Sequence, residues 1–159
     1  MADFHQTGVI TTLHRLGEPD LDRLEKALVS YSDRRPIALV LPCLFAETRG
    51  PALKGIIEAL EKVPYLSQVT VSLSGPSDTA QYGEMHRLFQ GIRCLDGRPP
   101  TLVWNQGPRI ERLLARLREE GLDPGDDGKG RATWLAYGYV LAADRARVVA
   151  IHDCDIRDY

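Results

Sequence analysis

Asp153 and Asp155, separated by Cys154, follow the apolar run Val148 to Ile151 and His152. Two carboxylates at this spacing beyond a strand can converge on one hard cation. A divalent ion held there would share phosphate oxygens and neutralise the charge growing on a departing diphosphate. The bland alternative is an exposed acidic turn, a common feature where 26% of residues are charged. Gly128-Lys129-Gly130 stands ahead of a helical pattern. A helix start offers free N–H groups and a positive dipole end, and a lysine adds a point charge, so phosphate is a natural ligand. It is not a Walker A loop: Asp123 holds the expected first glycine position, and Gly130 stands where Ser or Thr is required. Without a partner site it would be a flexible connection with an exposed lysine. Glu47, beyond Leu41-Pro42, could accept hydrogen bonds from a base or ribose, or lie on the surface where a helix begins. Ser74 and Asp78 could contact a nucleotide or cap the following helix.

The elements that must position these residues follow from periodicity. Pro19-Asp20 opens a helix with Leu21, Leu24, Ala27 and Leu28 on one stripe. Pro36 to Pro42 is a continuous apolar run of the kind buried on both faces of a parallel sheet. Leu53, Ile56, Ile57 and Leu60 form a helix behind Gly50-Pro51, and Val69, Val71 and Leu73 alternate as a second strand. A helix carries Tyr82, Met85, Leu88 and Phe89, and Thr101 to Trp104 can form a third strand. Pro108 suits the first turn of a helix with Ile110, Leu113, Leu114 and Leu117. A Gly/Asp loop from Gly121 to Gly130 precedes a helix over Arg131 to Ala142, and Arg147 to His152 is the last strand. This alternation predicts an α/β, Rossmann-like fold with a mostly parallel sheet sandwiched by helices. It predicts a single domain over 1–159. Ligands in such sheets sit outside the carboxyl ends of the strands, where Pro42 to Glu47, Ser74 to Asp78 and His152 to Asp155 would meet.

Bulk properties narrow the function classes. The chain has 159 residues, 43% of them hydrophobic, and a net charge of −2, which gives no footprint for nucleic acid or an anionic membrane. No apolar run approaches the roughly 18–20 residues that span a bilayer, and Met1 to Gly8 lacks a signal-peptide pattern. Cys43, Cys94 and Cys154 are odd in number, widely spaced and form no C-x-x-C pair, which argues against a disulfide framework or a structural zinc site; Cys43 and Cys154, beside predicted strand ends, are expected as small buried residues, and the compartment as a reducing cytoplasm.

Taken in order, Leu41-Pro42 with Glu47, Ser74-Gly75-Pro76-Ser77-Asp78, Gly128-Lys129-Gly130-Arg131-Ala132 and His152-Asp153-Cys154-Asp155 resemble the GT-A glycosyltransferases. The resemblance is nearest to the branch containing glucosyl-3-phosphoglycerate synthase and its mannosyl-transferring relatives. That branch carries Pro-Ala-x-Asn-Glu-Glu at a strand end, Ser-Gly-Ser-x-Asp, a Gly-Lys-Gly-x-Ala helix start and an Asp-x-Asp. The resemblance covers Pro36 to Tyr159 and implies the nucleotide-binding half of a GT-A fold. It implies that Pro42 and Glu47 border the nucleoside, Ser74 contacts the nucleotide, and Lys129 faces the base or phosphates. Asp153 would touch ribose or metal, and Asp155 would ligate Mg²⁺ or Mn²⁺. The donor would be UDP-glucose or GDP-mannose, the acceptor a small hydroxylated molecule such as a glycerate derivative, and the anomeric configuration would usually be retained.

Cys43-Leu44-Phe45-Ala46 departs from that pattern, and Pro76 stiffens the second loop. The stretch Arg93 to Gly121 is longer than expected, with Asn105-Gln106-Gly107 unassigned. No acceptor base or further histidine ligand follows Asp155, so the 159-residue chain is expected to be truncated, silent in transfer by itself, and prone to dimerise along an unpaired sheet edge. Two other readings stay open. One is a haloacid-dehalogenase-like phosphatase with Asp153 as nucleophile. The other is a non-catalytic nucleotide-binding or interaction module.

Overall fold

A computed structural model describes residues 20–156. Pro19, the Met1 to Gly8 segment and Arg157 to Tyr159 lie outside the described residues. The chain forms α1 (Leu21–Ser32), β1 (Ile37–Leu44), a 3-10 turn (Phe45–Arg49), α2 (Pro51–Leu60), β2 (Leu66–Ser74) and α3 (Thr79–Phe89). It continues through β3 (Thr101–Trp104), α4 (Pro108–Glu119), α5 (Lys129–Ala143) and β4 (Val148–Ile151).

All four strands are parallel, in the order β3-β2-β1-β4. The chain moves outward from β1 through β2 to β3, then crosses back to place β4 on the other side of β1. That reversal creates a crevice at the carboxyl ends of β1 and β4, the usual ligand position in open α/β sheets. The β1–β4 ladder ends at Val40↔Ile151, before Pro42 is reached, so the proline stands past the strand pairing on that side.

Two layers cover the sheet. The odd-numbered residues of β1 (Ile37, Leu39, Leu41, Cys43) join Val69, Val71 and Leu73 of β2, with Leu53 and Ile57 of α2 and Met85 and Phe89 of α3. The even-numbered Ala38 and Val40 face α5 through Ala136 and Val140. Small residues there let the helix sit close on the strand. The α5-facing side of β2 is polar yet buried, comprising Gln68, Thr70 and Ser72. Ser72 Oγ donates to the Ala132 carbonyl (2.8 Å) and Gln68 Nε2 donates to Thr70 Oγ1 (3.0 Å), while Gln68 Oε1 is buried without a hydrogen-bond partner among the described residues.

Several expectations change. The α1 stripe is not buried: Leu21 is 69% exposed and Leu24 46%, while Asp20 caps the helix as expected by accepting from the Arg23 N–H. Helix α5 begins at Lys129 rather than Arg131, because Gly128 already accepts the first intrahelical bond from Ala132 N–H. The stretch 93–121, longer than expected, supplies strand β3, which pairs with β2, and helix α4. β4 is an edge among the described residues, and Val149 and Ile151, on the α5 side, are 42% and 47% exposed. Helix α5 is apolar on more than its buried face, with Trp134, Tyr137 and Leu141 exposed.

Candidate functional site

Five chain segments converge on a cavity of about 470 Å³ at the carboxyl ends of the strands. It is lined by Pro42, Cys43, Leu44 and Glu47 after β1, and by Ser72, Ser74 and Gly75 at β2. Gln106 comes from the β3–α4 turn, Asp127 to Lys129 and Ala132 from the start of α5, and Asp153 to Asp155 from the turn after β4. Six of the residues singled out in the sequence, Pro42, Glu47, Ser74, Lys129, Asp153 and Asp155, therefore line one space.

Their local partners explain how each is held. Glu47 Oε2 accepts the Leu44 N–H at 2.8 Å, which ties the carboxylate back to the strand end and opens the 3-10 turn. The residue thus combines the capping role with a place in the cavity. Asp78 does not reach it; its carboxylate accepts the Gln81 N–H at 2.9 Å and caps α3. Ser74 Oγ accepts from Asn105 Nδ2 at 2.9 Å, and the same amide donates to Ser72 Oγ at 3.0 Å. Asn105 is fully buried, so it fixes the β2 end from within. Gly75, at φ +99°, turns the chain out of β2 in a conformation that a side chain would strain. Its N–H donates to Gln106 Oε1 (3.1 Å), while Gln106 Nε2 donates to Asp127 Oδ2 (3.0 Å). Asp127 is also bound by Arg131 at 2.6 Å. The Gln106 hydrogen bond, with Arg131 beside it, holds the Asp127 carboxyl below its ordinary pKa. Asn105 and Gln106 were unassigned in the sequence because their function depends on cross-strand neighbours; an Asn-Gln pair just past a strand end was the visible signal.

Lys129, on the first turn of α5, places its ammonium 2.7 Å from Asp153 Oδ1. The Asp153 hydrogen bond, with the charges of Asp153, Asp155 and Glu47, raises the lysine's pKa. A cation is thus already drawn to the acidic corner, and oxygen donors on Asp153 and Asp155 suit a hard divalent ion. A metal arriving there has to take the place of, or share, the lysine's hold on Asp153.

Cys43 and Cys154 are both buried beside Glu47, on the side of the cavity away from β3. Hydrogen bonding to the Cys154 thiol, reinforced by burial and by Glu47, pushes the Cys43 thiol far above its ordinary pKa. The expectation that both cysteines are small and buried is met; their mutual contact was not foreseen.

No family model matches the chain. It is 37% identical over its whole length to glucosyl-3-phosphoglycerate synthase of Persephonella marina and covers 38% of that protein. It is 34% identical, over 99% of its length, to the protein of the same name from Methanococcoides burtonii, covering 37% of it. The chain thus spans well under half the length of these curated relatives. Among solved structures, it superposes with a TM-score of 0.52 on a Mycobacterium tuberculosis glucosyl-3-phosphoglycerate synthase complexed with Mn²⁺, UDP and glucosyl-3-phosphoglycerate. That match has 22% identity and covers 93% of this chain and 42% of the other. Over its full length, then, the chain is similar to a stretch of the glucosyl-3-phosphoglycerate synthases, and it shares the α/β, Rossmann-like fold of the matched part of that solved structure.

Proposed function

We propose that the cavity binds the diphosphate of a nucleotide-sugar, UDP-glucose in the first place, for hexose transfer to a small hydroxylated acid such as 3-phosphoglycerate. The observation that carries this reading is the convergence of Pro42, Glu47, Ser74, Lys129, Asp153 and Asp155 on one cavity at the topological switch point. The names of the two relatives and the ligands of the solved neighbour support the donor and acceptor classes.

Asp153 and Asp155 would hold Mn²⁺ or Mg²⁺, which supplies neutralisation of charge on the leaving diphosphate. The chain's own residues do the rest. Lys129 and the first N–H groups of α5 would face the phosphate oxygens, the lysine leaving or sharing its ion pair with Asp153 as the metal and diphosphate enter. Ser74, braced by Asn105, offers a hydroxyl to the nucleotide. Glu47 has a second carboxylate oxygen available to a base or ribose. Pro42 presents an apolar edge to the nucleoside.

Calorimetric titration with UDP and GDP, with and without Mn²⁺, tests the reading. Metal-dependent binding with UDP preferred is expected. Equal affinity in EDTA and in Mn²⁺ would refute the assignment of Asp153 and Asp155, and phosphate release from a generic phosphomonoester would favour the phosphatase chemistry instead.

A further inference from the structure

The proposed donor site uses oxygen ligands and a lysine, and it leaves the sulfur chemistry of the cavity unused. Cys43 Sγ, Cys154 Sγ and a Glu47 carboxylate oxygen all lie within 4.8 Å of one another. They arrive from three places: the end of β1, the 3-10 turn and the turn after β4. Both cysteines are buried, Glu47 is half-buried, and all three line the cavity. Cys94, the third cysteine, is at the other end of the sheet, where the neighbouring Leu95 N–H meets the Leu66 carbonyl at the start of β2.

We infer that Cys43, Glu47 and Cys154 form a binding site for a soft or borderline divalent cation, Zn²⁺ being the physiological candidate, distinct from the hard-cation site at Asp153 and Asp155. Donor type carries the distinction. Thiolates select zinc and its heavier congener cadmium, whereas carboxylate oxygens suit manganese and magnesium. Zinc bonds of about 2.3 Å to sulfur and about 2.0 Å to oxygen place tetrahedral ligands somewhat under 4 Å apart, so the trio need close by no more than about an ångström. Three protein ligands with a fourth position open to a cavity is the arrangement of zinc sites that keep an exchangeable ligand. Glu47 is shared with the proposed nucleoside contact. If that reading also holds, a zinc-loaded chain binds UDP less well, and chelation restores it.

The experiment uses the chain reduced with a non-thiol phosphine, titrated with Cd²⁺ and followed by the ultraviolet thiolate-to-metal charge-transfer band. One equivalent should saturate the band. Zn²⁺ should abolish it by displacement, while a large excess of Mn²⁺ should not. Cys43→Ser and Cys154→Ser should each lose at least half of the intensity, Cys94→Ser should keep all of it, and Glu47→Gln should weaken Cd²⁺ binding about tenfold or more. Absence of the band in the unmutated chain would overturn the inference whatever the variants do, as would a band lost in Cys94→Ser and kept in Cys154→Ser. This readout is independent of nucleotide binding, so its failure and that of the donor-site reading are distinguishable.

Discussion

Lys129 holds Asp153 with an ion pair between side chains that are 64% and 43% exposed, so solvent screening limits the pair to about 1 kcal/mol or less. Two opposite effects follow for Lys129→Ala. Nucleotide affinity should fall by the 1.5–3 kcal/mol typical of a lost charge-assisted hydrogen bond, about 10- to 150-fold. Affinity for Mn²⁺ alone should rise, by up to about fivefold, because Asp153 is no longer neutralised. Calorimetry with Mn²⁺ and with UDP-Mn²⁺ separates the two; parallel losses would show that Lys129 does not compete with the metal. Asn105 and Ser74 make a second contrast. Asn105→Ala removes a buried amide that bonds two hydroxyls and should cost about 1–3 kcal/mol of stability as well as nucleotide affinity. Ser74→Ala should weaken binding while leaving ligand-free stability within about 1 kcal/mol. Denaturant melts of the ligand-free proteins decide it.

The start of α5 is held by a chain of polar contacts from Gly75 through Gln106 and Asp127 to Arg131. The Asp127 carboxyl is held below its ordinary range by Gln106 and by Arg131. A depressed folded-state pKa contributes stability that is present above the unfolded value and lost as pH falls through the folded one. Melts of Asp127→Asn against the unmutated chain should therefore differ at neutral pH, by under about 1 kcal/mol because the group is exposed, and converge below the carboxylate range. A gap that persists in acid would assign the effect to packing. Gly107, the N-cap of α4, acts by space instead: a Cβ there would meet the Trp104 ring at 2.8 Å, and that ring stacks on Tyr82 at 5.3 Å. Gly107→Ala should cost about 1–3 kcal/mol and disturb Gln106 next to it. Elements of this kind differ in how visible they are in a sequence. The β1 run, the Asp20 cap and the helix containing Leu53, Ile56 and Ile57 follow from local pattern, and all are present. The alternation in β2 was visible too, but not that its polar face is sealed under α5, since Ser72 is satisfied by Ala132. Nor does the α1 stripe announce that its leucines stay exposed, because periodicity records an apolar face and not what covers it. That the six candidate residues share one cavity was legible through their order at strand ends and at the start of α5; the Asn105 brace and the Cys43–Cys154 contact depend on neighbours far away in sequence.

At the scale of the molecule, one group of exposed apolar side chains among the described residues comprises Val149 and Ile151 on the edge strand with Trp134, Tyr137 and Leu141 on α5. An unpaired apolar edge favours association with another chain. Sedimentation velocity should show concentration-dependent self-association, and Ile151→Lys should move its midpoint about tenfold upward, or roughly 1.4 kcal/mol. A monomer at every concentration would leave that group without a partner of its own kind. The parallel order of the strands has a further consequence, for folding kinetics. β1 pairs with β2 across a single helix, but its ladder with β4 joins residues separated by most of the chain. Loop-closure entropy makes such long-range pairings late and slow. The Asp153 turn is carried by that last pairing, so the cavity should be incomplete in any species that has formed only β1 to β3. In native-state hydrogen exchange, amides of Val149 to His152 should therefore open at lower free energy than those of Val69 to Leu73. Nucleotide with metal should protect the β4 amides selectively, because the ligand holds in place the strand that joins last.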